Sequence, residues 1–114
     1  MSYMVCLHED SINGPEILPP QETVYGGMEP NITYNLAEMF EALPCDRPVK
    51  WQGKLVMEVI DDVRRSYKAL CLHPNHYKKY EAKNGFGTIQ GARGFLGTCL
   101  MWFNLWPEAY IEVC

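Results

Sequence analysis

Thr88-Ile89-Gln90-Gly91-Ala92-Arg93-Gly94-Phe95-Leu96-Gly97-Thr98-Cys99-Leu100-Met101-Trp102-Phe103-Asn104 is the stretch on which the fold turns. At about 100° per residue, Ile89, Ala92, Phe95, Leu96, Cys99, Leu100 and Phe103 gather on one half of a helical wheel. Thr88 is a suitable N-cap, and Trp106-Pro107 ends the helix. Gly91, Gly94 and Gly97 fall on the other half, beside Gln90, Thr98 and Met101. Each interior glycine costs about 1 kcal/mol relative to alanine, and three together are a sizeable fraction of a stability that is usually about 5–15 kcal/mol. Something must offset that cost. Close approach by the domain's own N-terminal loop is one account. A bare helical face used by a second subunit or a ligand is the other, and it marks Gly91, Gly94 and Gly97 as the interface of an expected homodimer. Charge is absent from this helix after Arg93, so it should be covered on more than one side.

Outward from this helix, Tyr110-Ile111-Glu112-Val113 alternates like a strand, as does Tyr3-Met4-Val5-Cys6-Leu7 near the start. Asn13-Gly14-Pro15 is a turn signal, and residues 13–30 are so rich in Pro and Gly that they read as loop, with at most a short strand at Thr23–Tyr25. Asn35 followed by Glu38 reads as a capping box. Leu36, Met39, Phe40 and Leu43 then define one face of a helix that Pro44 stops. After a loop over Pro44–Gly53, Val56, Val59, Ile60, Val63, Tyr67 and Leu70 form the apolar stripe of a longer helix, which His73-Pro74-Asn75 breaks. Asn84-Gly85-Phe86-Gly87 is a strong turn. The expected fold is α+β, about three helices packed on a small antiparallel sheet made by the N- and C-terminal strands.

The composition agrees with one domain over residues 1–114. The chain is 47% hydrophobic and 21% charged, too apolar for a disordered segment and too short for two cores. The net charge of −4 hides an uneven distribution. Residues 1–46 carry eight acids and no Lys or Arg, whereas all ten basic residues lie between Arg47 and Arg93 against four acids. Either the two halves attract each other within the fold, or the basic region accepts an anionic partner. The balance does not fit duplex nucleic acid. Five cysteines, an odd number without a Cys-x-x-Cys pair, point to a reducing compartment. No secretory signal is evident at the start, and the longest uncharged stretch, Gly94 to Pro107, is too short for a membrane span. A cytoplasmic protein is expected.

Few residues suggest chemistry. Cys71-x-His73-x-x-His76 has metal-like residue types but no obvious fourth ligand, and imidazoles meeting the last carbonyls of a helix explain it more simply. Cys6 and Cys99 lack an orienting base. Glu58, Asp61 and Asp62 read as a solvated helix face. No metal, cofactor or catalytic set is assigned. A weaker feature is the helix start at Thr88, whose free N–H groups suit an anion. Lys78, Lys79, Lys83 and Arg93 are near in sequence, and Tyr77 and Tyr80 interleave in a way that suits stacking on a base.

Asn31-Ile32-Thr33-Tyr34-Asn35 followed by Met39, Gly53-Lys54 opening the long helix, and Asn84-Gly85-Phe86-Gly87 with Gly91 and Phe95-Leu96 resemble a family of small proteins of tailed phages and prophages. The resemblance covers roughly residues 31–113. Phe86 stands where the family usually has Trp, and Gly94 and Gly97 are additional. The family offers no catalytic residues to carry over and implies a phage context. Asn31, Thr33 and Asn35 either pin the loop before the helix or form a polar pocket with Trp51 and Phe86. The candidate ligand- or partner-binding residues are therefore Asn31, Thr33, Asn35, Trp51, Tyr77, Lys78, Lys79, Asn84, Phe86 and Arg93. The expected function is a non-enzymatic accessory protein that binds and modulates or inhibits a host protein, such as a defence component. The alternative is a binder that sequesters a nucleotide or other small anionic signal.

Overall fold

A computed structural model describes residues 2–11, 14–17, 31–83, 85 and 87–114. Asn13, the strand expected at Thr23–Tyr25, and the candidate site residues Asn84 and Phe86 lie outside the described residues.

The N-terminal strand β1, Ser2–Ser11, is the axis on which every other strand pairs, all antiparallel. Gly14–Ile17 forms β2 against its far end, Asn31–Thr33 forms β3 against Ser2–Met4, and Tyr110–Val113 forms β4 against Val5–His8. The two chain termini thus share a sheet, as the alternating patterns at both ends predict. Strand β2 corrects the reading of this region as loop. Pro15, which has no N–H to give a ladder, faces Asp10 in a peripheral strand, where proline is tolerated.

The helices are α1 (Ala37–Glu41), α2 (Val56–Leu72), α3 (Pro74–Tyr77) and α4 (Ile89–Leu105). The first is shorter than its apolar spacing suggests, because a 3₁₀ turn over Tyr34–Leu36 takes the place of its first turn. The expected Asn35–Glu38 capping box gives way to a different cap: Thr33 Oγ1 accepts the Asn35 N–H at 3.2 Å. Helix α4 matches its predicted span, with Thr88 Oγ1 accepting the Gly91 N–H at 3.0 Å.

Val5, Leu7 and Ile111 from the sheet, Leu36, Met39 and Phe40 from α1 and its leading turn, and the inner faces of α2 and α4 form one core cluster. Its centre is aromatic. Trp51 stacks on Phe95 with ring centroids 6.1 Å apart, and Phe40 and Phe103 meet this pair edge-on. Thr98 and Trp102 are buried in addition to the predicted stripe, so α4 is covered on more than one side, as its lack of charge implies. The Lys54–Val56 segment is laced to Ala109 and β4, the Val56 N–H donating to Ala109 O at 2.9 Å and the Ile111 N–H to Lys54 O at 2.9 Å. Gly53, at φ +78°, makes the turn that permits this return.

Candidate functional site

Helices α2 and α4 pack along one another, but not over their whole facing surfaces. On the outer side they leave a groove of about 710 Å³. Its walls are Tyr67 and Cys71 from α2 and Gly94, Gly97, Leu100 and Met101 from α4, with Gln90 and Arg93 at one end. The sequence builds this opening by omission. A Cβ at Gly97 would stand 3.2 Å from Tyr67 Cε2, so this glycine lets α2 approach. A Cβ at Gly91 would meet Thr88 Oγ1 at 3.3 Å and Ile32 Cδ1 at 4.0 Å, beside the cap and strand β3. Gly94 has no atom within 4 Å of that position and faces open space. The three glycines therefore divide: two accommodate the fold's own elements, and the third leaves helix backbone bare.

The rim is apolar and partly exposed. Met101 is 49% exposed and Tyr67 36%, although Tyr67 lies on the predicted apolar stripe of α2. A hydrogen bond with the Cys71 thiol holds the Tyr67 phenol above its usual value, while nearby Arg93 pulls it the other way. Arg93 is half-buried. Among the described residues it is the arginine without a carboxylate. Arg64 meets Asp61 Oδ1 at 2.9 Å, Arg65 meets Asp62, and Arg47 Nε stands 3.4 Å from Glu41 Oε1, an ion pair without hydrogen-bond geometry.

The other described sequence-predicted positions do not converge on the groove. Trp51 is 2% exposed, and its indole N–H donates to Cys45 O at 2.8 Å, so it is a core plug; its edge touches a smaller cavity of about 330 Å³ beside Asp46 and Lys54, away from the α2/α4 groove. A tryptophan in a loop without periodicity carried no signal of this; a 3₁₀ turn over Pro48–Trp51 directs it inward. Tyr77 is buried, its ring 4.9 Å from His76 and 6.5 Å from Tyr80, which removes it as a surface for base stacking. Lys78 and Lys79 are exposed, and Lys79 Nζ lies 5.2 Å above the Tyr80 ring. Asn31 and Asn35 stand at the surface, where Thr33 pins the entry to α1.

The anion site expected at the start of α4 is filled by the protein itself. Glu81 Oε2 accepts the Ile89 N–H at 2.9 Å while Thr88 takes that of Gly91, so a carboxylate and a hydroxyl already satisfy those donors. The intervening turn is closed by Ala82 N–H donating to Gly87 O at 2.9 Å, with Gly85 at φ +80°. Cys71, His73 and His76 are all exposed, and no group of three potential metal ligands occurs among the described residues.

Nor are the buried thiols poised for nucleophilic chemistry. Burial pushes Cys45 up to about 12, and burial together with neighbouring Cys45 raises Cys99 well above its usual value. The Ser66 hydroxyl, fully buried in α2, accepts the Cys45 N–H at 2.9 Å and donates to Asp62 O at 2.7 Å, fastening the 44–47 turn to the helix. Among the described residues, no helix is long and apolar enough to cross a membrane. Compared with protein-family models, with curated proteins and with solved structures, the chain matches none.

Proposed function

We propose that this chain is a non-enzymatic binding protein, of the accessory kind with which phages modulate or inhibit a host protein in the bacterial cytoplasm. The α2/α4 groove is its working surface. The observation that carries this reading is the bare helix backbone at Gly94, in the floor of an apolar groove with Met101 exposed at its edge. A mostly apolar cleft of this volume with a few polar groups at its end has the form of a binding site, and the glycine cost at Gly94 is offset once a partner backbone approaches. The phage context comes from the motif resemblance alone.

The test uses immobilised full-length chain, wild type and Gly94→Leu, in extract of a phage-susceptible bacterium. It is paired with plating of phage on defence-bearing strains that express either form. A host protein retained by wild type and lost with Gly94→Leu, with protection of the phage following the same pattern, is the expected result. Equal retention by both forms, or no retention and no protection, rejects the reading.

The half-buried Arg93, without a carboxylate partner among the described residues, favours a second reading, a small anionic ligand held at the same end of the groove. Calorimetry against a nucleotide panel decides it, and titrations without heat eliminate it. The expected homodimer is the competing use of the same face, and since Gly91 and Gly97 meet the fold's own elements it would rest on Gly94 alone. Sedimentation showing only the 13.1 kDa species at micromolar concentration refutes it.

A further inference from the structure

We infer that the groove receives an amphipathic helical segment of the partner protein, with an apolar stripe for the groove and a carboxylate that meets Arg93. This rests on the groove being the binding face, and it adds the chemistry of what binds there. Along α4 the groove runs from Arg93 to Met101, about 12 Å at 1.5 Å per residue, or two helical turns. That length matches apolar anchors at i, i+3 or i+4, and i+7 of an incoming helix. The missing side chain at Gly94 lets the incoming backbone come close.

Charge selects the occupant. Among the described residues, the groove lining carries one cation, Arg93, and no carboxylate. Covering Arg93 with a wholly apolar partner strips water from a guanidinium and returns nothing, whereas a carboxylate restores a charge-assisted, bidentate pair. A second copy set groove on groove in a two-fold contact does not provide that acid, because each Arg93 then faces the same lining, which lacks a carboxylate among the described residues. Nucleic acid is equally unsuited, because its phosphates call for several cations and the groove presents one.

The experiment is selection of a displayed library of randomised helical peptides against three full-length forms, wild type, Gly94→Leu and Arg93→Glu, with Arg93→Gln as a fourth form for affinity measurement. Urea unfolding first establishes that each form is folded. On wild type the expected enrichment is for peptides with apolar residues at i, i+3/i+4 and i+7 and a flanking Asp or Glu. Those peptides should bind Arg93→Gln about tenfold more weakly, the worth of one charge-assisted bond at a half-exposed position. On Arg93→Glu the enriched flanking residue should become Lys or Arg, a reversal that a merely structural Arg93 does not produce.

Enrichment on wild type without acidic bias, or no enrichment at all, overturns the partner chemistry and leaves the groove reading to its own test. Enrichment of the same peptides on wild type and Gly94→Leu overturns both, since the site then lies elsewhere. A wild-type dimer in sedimentation that Gly94→Leu dissolves also overturns the inference, because the face then serves a second copy.

Discussion

Replacing Gly94 by alanine should make this protein more stable, and the size of the gain reports what lies over α4. Gly94 is in the interior of a 17-residue helix, at an ordinary helical position, and a Cβ added there has nothing within 4 Å. The steric cost is therefore nil, and the gain is the helix propensity difference, about 1 kcal/mol. With a urea slope of about 2 kcal/mol/M, the unfolding midpoint should rise by about 0.5 M. At about 2.1 cal/mol/K per residue, the melting temperature should rise by about 4 °C. Gly97→Ala is the internal comparison. Its new methyl meets Tyr67 Cε2 at 3.2 Å, so the ring must give way and the gain must be smaller. Gly91→Ala presses on Thr88 Oγ1 at 3.3 Å, the capping atom, and should also gain less. Urea denaturation of the three variants at low protein concentration measures the order. A Gly94→Ala variant that is neutral or destabilised refutes the reasoning, because the space above Gly94 is then filled in solution.

Further expectations follow from the core and its thiols. Trp51→Ala removes the central aromatic plug and should cost about 3–5 kcal/mol in urea unfolding; a loss below 1 kcal/mol contradicts the placement of Trp51. Ser66→Ala leaves the buried Cys45 N–H without its acceptor and should cost about 1–3 kcal/mol, with Ser66→Thr as the milder comparison. In native alkylation Cys71 and Cys114, both exposed, should react first, and Cys45 and Cys99 should react only after denaturant is added. Mass mapping that finds Cys45 modified in the native protein disproves its burial. Alkaline pH should destabilise the fold. The folded Cys45 thiol is held up to about 12 against 9.0 unfolded, so its contribution is complete below pH 9 and is lost as pH rises toward 12. Cys99 acts in the same direction. The urea midpoint should fall between pH 9 and 11, and less steeply in a Cys45→Ala/Cys99→Ala variant; an equal slope removes the thiols as its cause.

What could be read from the sequence was whatever depends on periodicity. The α4 stripe from Ile89 to Phe103, the α2 stripe from Val56 to Leu70 and the terminal strands follow from spacing alone, because each element buries one face. Strand β2 was hidden because proline and glycine dominate residues 14–17, and its place at the sheet margin is a tertiary fact. The true cap before α1 was hidden because Thr33 and Asn35 are both good capping residues. The choice between them depends on where β3 ends. Trp51 and Tyr77 resembled ligand-facing aromatics because their neighbours are polar, but each turns inward from a short helical turn that has no sequence period. The glycine triad was legible as an anomaly. Its division into two packing glycines and one open one was not, since that requires knowing where Tyr67 and Ile32 lie. Tyr67 itself belongs to the α2 stripe by spacing, yet ends at the groove edge because α4 turns its glycine face toward it.

The most direct test of the α2/α4 groove as the binding surface is site-specific photo-crosslinking in living bacterial cells. A photoreactive amino acid is placed singly at Met101 in the groove, at Lys79 and at Asn35, in otherwise unchanged full-length chain. A discrete adduct with a host protein is expected from Met101, abolished by Gly94→Leu, and none from Lys79 or Asn35. Adducts from Lys79 or Asn35 with none from Met101, or a Met101 adduct of twice the chain's own 13.1 kDa, contradict it.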